Sequence, residues 1–274
     1  MKLSNFLDDI LFVIVLYKQK PEKSCAYNAL QDLSRTNNHS LSLFIYDNSP
    51  EASAIHSSTV MYRHDAQNSG VSKAYNEAAV YADKLKKKWL RLLDQDTLPE
   101  QNFHLFFFEA LKQWPESLAF VPQLSDHKGL ISPFRWSLGK GGRIKPRHGI
   151  LQLRNFRFVN SGLLIDLQAF RKVQGYDEKI PLDFSDIAFG EKLKSIADHF
   201  VVTKSTWQHS FSGSIKNQRE EACLRFGFFC LGSFRFGQVF GHSNFLFART
   251  LIRAIKLSLR YMSIDFIKTF FKHA

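Results

Sequence analysis

Between residues 11 and 96 the chain alternates short, β-rich apolar runs with longer stretches whose apolar residues recur at helical spacing. The runs Leu11–Tyr17, Leu41–Asp47, Thr59–His64 and Trp89–Leu93 predict four strands, with helices over Ser24–Arg35 and Val71–Lys87. Such alternation builds a mostly parallel, Rossmann-like sheet, because each parallel connection must cross a face of the sheet to return. Further on, the pattern predicts a helix over Glu100–Trp114, strands over Leu118–Leu124 and Phe156–Asp166, regular structure over Leu167–Val173, a helix near Phe184–Ala197, and a strand over His199–Thr203. Residues 125–150 interrupt it with Gly129, Pro133, Gly139, Gly141, Gly142, Pro146 and Gly149 among basic residues. A segment this long is not an ordinary connection, and it predicts a functional excursion. Leu246–Phe271 returns to helical spacing with Arg249, Arg253, Lys256, Arg260, Lys268 and Lys272 interspersed, as in one or two basic amphipathic helices.

Length and composition narrow the class. A chain of 274 residues with 45% hydrophobic content holds one large domain, alone or with a terminal appendage, and is not generally disordered. Nowhere do ~18 apolar residues run without a charge, so no membrane-spanning helix is expected. Asp8 and Asp9 before the first apolar run are the wrong flank for a signal peptide. Cys25, Cys223 and Cys230 lack paired spacing and read as free thiols in a reducing, cytoplasmic compartment. The net charge of +12 is uneven: Ile215–Ala274 carries ten Lys/Arg against three Asp/Glu, together with eleven of the 27 phenylalanines. No nucleic-acid motif accompanies this charge. Its pairing with Phe in a helical tail fits a helix that closes the core with a solvated basic face or, in preference, peripheral attachment to the cytoplasmic face of a membrane, with no nucleic acid as partner.

The chemistry-bearing residues gather at predicted strand ends, where open α/β sheets bind ligands. Asp94-Gln95-Asp96 closes the fourth strand with two hard oxygen ligands suited to Mg²⁺ or Mn²⁺, although an isolated Asp-x-Asp more often marks a surface turn. Asp47-Asn48-Ser49-Pro50 closes the second strand, fit to meet a nucleobase or ribose, or simply an Asx turn. Asn68-Ser69-Gly70 precedes a helix bearing Lys73 and Asn76; a helix N-terminus with a lysine attracts anions, and the same residues also serve as ordinary caps. Asn160-Ser161-Gly162 interrupts a strand with small polar residues. Asp183 and Asp186 open a helix whose positive end keeps a carboxylate ionised, and His209 follows the last strand.

Taken in order, Val13-Ile14-Val15-Leu16-Tyr17, Ile45-Tyr46-Asp47-Asn48-Ser49, Asn68 to Asn76, Leu92 to Thr97, Asn160-Ser161-Gly162, Gly175-Tyr176-Asp177-Glu178, Asp183-Phe184-Ser185-Asp186 and His209 resemble the family 2 glycosyltransferases of GT-A fold. Within that family they are similar to rhamnosyltransferase-type enzymes of bacterial surface polysaccharide assembly. The resemblance spans about residues 10–213 and implies a GT-A domain over 1–213 with a helical, basic extension over 214–274. It implies nucleotide contacts from Asp47, Asn68, Gly70, Lys73, Asn76 and Asp94, and a sugar and acceptor site lined by Asn160, Ser161 and Gly162. It further implies a Mg²⁺ or Mn²⁺ ion on Asp94, Asp96 and His209, and Asp186 as catalytic base in preference to Asp183. The implied activity is inverting transfer of a sugar from a dTDP- or UDP-linked donor to a hydroxyl of a glycan acceptor, with a lipid-linked acceptor expected. An acceptor hydroxyl needs a carboxylate to take its proton, and a diphosphate leaving group needs its charge neutralised. Sugar-phosphate nucleotidyl transfer is disfavoured by the glycine-free first loop, Lys18-Gln19-Lys20-Pro21. A basic nucleic-acid-binding protein is the remaining alternative.

Overall fold

The computed structural model describes residues 2–53, 55, 59–137, 140–209 and 219–274. The helix α1 (Leu3–Asp8) leads into β1 (Ile10–Leu16), α2 (Cys25–Thr36), β2 (Ser42–Asp47), β3 (Val60–His64), α3 (Val71–Lys84) and β4 (Trp89–Asp94). Then come β5 (Thr97–Leu98), α4 (Phe103–Gln113), β6 (Ala119–Asp126), β7 (Gly129–Ser132), β8 (Phe134–Ser137), β9 (Lys140–Gly142), β10 (Gly149–Gln152), β11 (Phe156–Arg157) and β12 (Leu164–Asp166). The chain ends with α5 (Leu167–Lys172), α6 (Ser185–Leu193), β13 (His199–His209), α7 (Arg219–Phe240), α8 (Ser243–Tyr261) and α9 (Asp265–His273).

The main sheet runs β10-β13-β6-β12-β4-β1-β2-β3, with β5 added to β13 and β7 to β6. Its β3-β2-β1-β4 half is parallel throughout, and β12 joins it antiparallel to β13 and β6, which are parallel to each other. Alternation along β1 supplies both cores: Leu11, Val13 and Val15 pack toward α3 and α5, while Phe12, Ile14 and Leu16 pack toward α1, α2 and α4. Register then aligns the functional edge. Asp94 lies opposite Val15, Leu16 opposite Asp47, and Asp47 opposite His64, so the ends of β4, β1, β2 and β3 share one margin.

Arg91, inside the apolar run of β4, is 2% exposed and stacks its guanidinium on Phe107 at 3.4 Å, with Trp207 at 4.9 Å and Phe103 at 5.4 Å. It ties the strand that carries Asp94 to α4 and β13 by cation–π contact rather than by an ion pair.

Several elements differ from the sequence expectation. The excursion over 125–150 is not a bare loop: β8 and β9 form a small antiparallel sheet with β11, and β7 and β10 extend the main sheet. The single strand expected over Phe156–Asp166 is broken into β11 and β12, because Gly162 turns at φ +86° and hands its N–H to the Leu92 carbonyl at 2.8 Å. The last strand runs on to His209 through an irregularity between Val202 and Thr206. The helical extension expected over 214–274 is present, and its long first helix α7 forms without an apolar period along its length. Its phenylalanines are distributed around the helix, and Gly227, Gly232 and Gly237 lower its propensity. Tertiary contact overrides that: α7 packs on α8, α9 and α6 in a separate core that includes Phe184, Phe226, Phe229, Phe236, Phe266 and Phe270. A Cβ on Gly232 would stand 2.0 Å from the Asp183 carbonyl oxygen, so α7 presses its backbone against the loop that starts α6. The boundary expected near residue 213 lies outside the described residues.

Candidate active site

The Asp-x-Asp segment turns sharply after β4 because its middle residue is held. The Gln95 side chain accepts from the Tyr17 N–H at 2.8 Å and donates to the Tyr17 carbonyl at 3.2 Å, and the Gln95 backbone carbonyl accepts from the Cys25 N–H and the Ser24 hydroxyl. Asp94 and Asp96 are thereby left on the sheet margin. The pairing of β5 with β13 sets Thr97 opposite His209, which brings the imidazole to the same corner. One ligand atom each of Asp94, Asp96 and His209 lies within 4.8 Å of the others, and His209 Nδ1 is 3.6 Å from Asp96.

A polar relay braces this corner. The Ser161 hydroxyl accepts from the Asp94 N–H at 3.1 Å and donates to Thr97 Oγ1 at 2.7 Å, and Thr97 Oγ1 is 2.9 Å from His209 Nδ1. Asn160 reaches the other way: its amide donates to the Ser185 hydroxyl at 3.1 Å and its carbonyl accepts from the Tyr176 hydroxyl at 2.7 Å. The turn around Gly162 thus connects the acidic corner to the start of α6, where Asp186 sits. The Tyr75 hydroxyl points at Asp94 at 3.4 Å.

S. aureus TarS aligns with a TM-score of 0.51 at 11% identity, over 88% of this chain and 42% of that one. GalNAc-T7, crystallised with UDP, GalNAc and Mn²⁺, aligns with a TM-score of 0.55 at 11% identity, over 95% of this chain and 55% of that one. S. aureus TarS 1–349 in complex with UDP-GlcNAc gives 0.52 at 11%, over 95% and 79%. The fold is GT-A. No protein-family profile and no curated sequence matches the chain. It spans less than two thirds of the first two of these structures.

On this GT-A scaffold the electrostatics separate three kinds of carboxylate. Asp94 is pushed up to about 6, first by burial and then by the adjacent Asp96 charge, against the pull of His209, Tyr75 and Arg225. Two carboxylates held side by side in this way, with an imidazole, form an oxygen- and nitrogen-donor set that a divalent cation would relieve. Asp186 is raised to about 7, chiefly by burial, with the charges of Asp183 and Asp94 adding to it. Asp47 and Asp65 go the other way. Burial pushes both up, but hydrogen bonds outweigh it: Asp47 accepts from the Ser49 N–H, the Ser53 hydroxyl and the Tyr62 hydroxyl, and Asp65, at about 2, accepts from Ser69 and Tyr46.

The remaining predicted residues divide by what they touch. Lys73 reaches Ser69 at 3.4 Å and Asp65 at 3.9 Å beside Asn68, which adopts φ +52°. Gly70 is close-packed by protein, since a Cβ there would meet the Pro181 carbonyl at 2.2 Å. Asn76 bonds across to the 175–178 loop, accepting from the Tyr176 N–H at 2.9 Å and donating to Glu178 at 2.9 Å. Sequence reasoning passed over Asp65, Thr97 and Arg225. Asp65 directly follows β3 and obeys the strand-end rule that selected Asp47. Arg225, paired with Asp183 at 3.4 Å, had no local signal because α7 carries no apolar period that would assign its faces. A cavity of about 470 Å³ between α7 and α9 holds none of these residues.

Proposed function

We propose that the chain is a metal-dependent, inverting glycosyltransferase using a UDP- or dTDP-linked sugar, with a deoxyhexose such as rhamnose as the finer reading of the donor. The observation that carries this is the joining of the Asp94–Asp96–His209 corner to Asp186 through Asn160 and Ser161 on a GT-A scaffold. GalNAc-T7, of the same fold, is crystallised with UDP and Mn²⁺, and TarS with UDP-GlcNAc, which supports the same ligand classes here.

Asp94, Asp96 and His209 would hold Mg²⁺ or Mn²⁺, which when bound neutralises charge on the departing nucleoside diphosphate. Asp47 shapes the nucleoside side by fixing the 49–53 segment, and Asp65, Lys73 and Asn68 form the polar edge beside it. Gly70 and Asn76 join that edge to the loops at 175–181. Ser161 and Gly162 set the floor of the sugar site, and Asn160 orients the start of α6. Asp186 takes the proton from the acceptor hydroxyl; its raised pKa makes it a stronger base than an exposed aspartate yet leaves it ionised above neutrality. A single displacement with base and leaving group on opposite sides of the anomeric carbon inverts its configuration.

The test is thermal unfolding of the full chain with nucleoside diphosphates and nucleotide-sugars, with and without Mn²⁺ or Mg²⁺. Stabilisation that requires both a UDP or dTDP compound and the metal is expected. Correctly folded protein that gains nothing from any of them would refute the reading.

The acceptor is a glycan held at the membrane face, as in bacterial surface polysaccharide assembly. On α8, Leu246, Thr250 and Ala254 are buried, while Phe245, Ile252, Ile255 and Leu259 are exposed on the far side, Leu259 by 69%. Arg249, Arg253, Lys256 and Arg260 flank this stripe on one side, and the helix contains no acidic residue. An apolar ridge bordered by cations fits an anionic bilayer surface. Among the described residues no helix is long and apolar enough to cross a membrane. Exchanging Ile252 and Leu259 for Glu is expected to abolish co-sedimentation with phosphatidylglycerol-containing vesicles. Unchanged co-sedimentation would remove the membrane from the proposal.

A further inference from the structure

The excursion at 125–150 carries charge that neither the acidic corner nor Asp186 uses. Between Asp126 and Asp166 the chain has eight Lys/Arg and no Asp or Glu. Part of this charge borders a pocket of about 260 Å³, lined by Arg135 of β8, Arg154 and Arg157 at β11, Glu191 and Lys194 of α6, and His242 at the start of α8. Three contacts hold these elements together. Trp136, next to Arg135, packs 6.0 Å from Phe236 near the end of α7 and donates its N–H to the Asn155 carbonyl at 2.9 Å. Arg157, 1% exposed, lies against Gly190 of α6, where a Cβ would stand 2.7 Å from the arginine Cδ.

The acidic acceptors of this pocket are already taken. Glu191 is the one carboxylate among the described residues that line it: its Oε1 accepts from Arg157 and its Oε2 from Lys194. Arg157 gives its Nη1 to the Leu153 and Phe156 carbonyls, and its buried Nε finds no acceptor. Arg135 and Arg154 have no hydrogen-bond or ion-pair partner among the described residues, and all 25 Asp and Glu residues of the chain are among those. Two guanidinium forks therefore border the pocket with no protein anion to meet them. No side chain caps α8, so the first N–H groups of that 19-residue helix add the positive end of its dipole beside His242.

We infer that this pocket binds a phosphate group, with Arg135 and Arg154 as its principal ligands and Lys194 and the start of α8 completing the site. Two unpaired guanidinium charges match the charge of about −1.5 to −2 on a phosphate monoester near pH 7, whereas a carboxylate would satisfy only one of them. Planar forks and a helix N-terminus both suit phosphate oxygens. The volume lies just below the ~300–1,000 Å³ of pockets that enclose drug-sized ligands, so a phosphate fits together with a small group attached to it. That group is the glycerol of a lipid headgroup or part of a soluble phosphorylated compound; the phosphate chemistry is common to both. None of Asp94, Asp96, Asp186 and His209 lines the pocket, and the inference does not rest on the glycosyltransferase reading.

The probe is inorganic phosphate, titrated into the full chain in EDTA at ionic strength held constant with chloride, and followed by thermal unfolding. Saturable stabilisation of the wild type is expected, with affinity weakened roughly tenfold or more in R135Q/R154Q. Both side chains are exposed, so the variant should fold, and R154Q alone reads the loss should the double variant fold poorly. R143Q removes a charge from the same excursion, but one already paired with Asp126 at 3.0 Å, and should bind phosphate as wild type. In parallel, UDP with Mn²⁺ should bind R135Q/R154Q within about twofold of wild type. Co-sedimentation with phosphatidic acid vesicles separates the sources: lower recovery of R135Q/R154Q assigns the pocket to a lipid headgroup, and recovery equal to wild type assigns it to a soluble phosphate compound. Phosphate binding that is absent from the wild type, equal in R135Q/R154Q, or lost as much in R143Q overturns the site. Loss of UDP–Mn²⁺ binding as large as the loss of phosphate binding also overturns it, by assigning the arginines to the donor. Phosphate binding through Arg135 and Arg154 in a wild type that ignores every nucleotide would keep the site and sink the glycosyltransferase reading instead.

Discussion

Asp186→Asn is expected to lower sugar transfer by about 10²–10⁴-fold while leaving metal-dependent UDP binding intact and raising the melting temperature. Asn keeps the shape and the hydrogen bond near the Ile187 N–H but cannot accept a proton. The stability gain follows from the raised pKa. Asp186 titrates near 7 in the fold and near 3.8 in the unfolded chain, so between those values the folded state binds more protons and stability falls as pH rises. The penalty for ionising this buried group is absent below about pH 4 and fully present above about pH 7. The melting-temperature difference between D186N and wild type should therefore be near zero at pH 4 and largest at pH 8. In the wild type, kcat/KM should fall about tenfold per unit below roughly pH 7, since only the carboxylate form serves as base. Retained transfer in D186N, or a melting-temperature gain as large at pH 4 as at pH 8, would take the role of base away from Asp186. The same assay on Asp183→Asn decides between the two carboxylates: Asp183 is bonded to Arg225 and should matter less.

The parallel half of the sheet was legible because each strand is a short apolar run closed by a polar residue, and period and punctuation agree there. Asp47, Asp94 and Asp96 could be placed at a sheet margin for the same reason. Their separate environments could not. Whether a carboxylate is saturated by hydrogen bonds, as Asp47 is by Ser49, Ser53 and Tyr62, or left beside another charge, as Asp94 is, depends on loops that close only in three dimensions. Asn76 is a case in point. Its position inside a helix hinted at a specific hydrogen-bonding task, and its bonds are to the 175–178 loop, a hundred residues away in sequence. Arg91 was hidden more completely. A strand over Trp89–Leu93 gives no sign of what the Arg91 cation meets, and only the aromatic cluster of Phe103, Phe107 and Trp207 explains it. A helical extension over 214–274 was legible, but the extent and packing faces of α7 were not, because apolar residues on several sides carry no period to read.

The second large effect is expected at Asp96. In Asp96→Asn the metal loses a charged oxygen ligand, and Mn²⁺-dependent UDP affinity should fall more than about 100-fold, beyond the 10–100-fold typical of groups that only support a ligand. Asp94 should respond in the opposite sense when no metal is present. The Asp96 charge is the second cause, after burial, that raises Asp94 to about 6, so removing it should bring Asp94 back toward its ordinary value. Metal-free D96N should then be more stable than metal-free wild type above pH 6, where the two carboxylates otherwise repel. With Mn²⁺ and UDP present the order should reverse, because only the wild type binds them. Thr97→Val provides the graded comparison: it cuts the Ser161–Thr97–His209 relay without touching a proposed ligand, and should weaken metal-dependent binding by about 10–100-fold. Titration calorimetry of Mn²⁺ and UDP on the three proteins measures all of this. Equal affinities in wild type and D96N would show that the acidic corner does not hold the ion, and the nucleotide would have to be held by the Asp65–Lys73 edge alone.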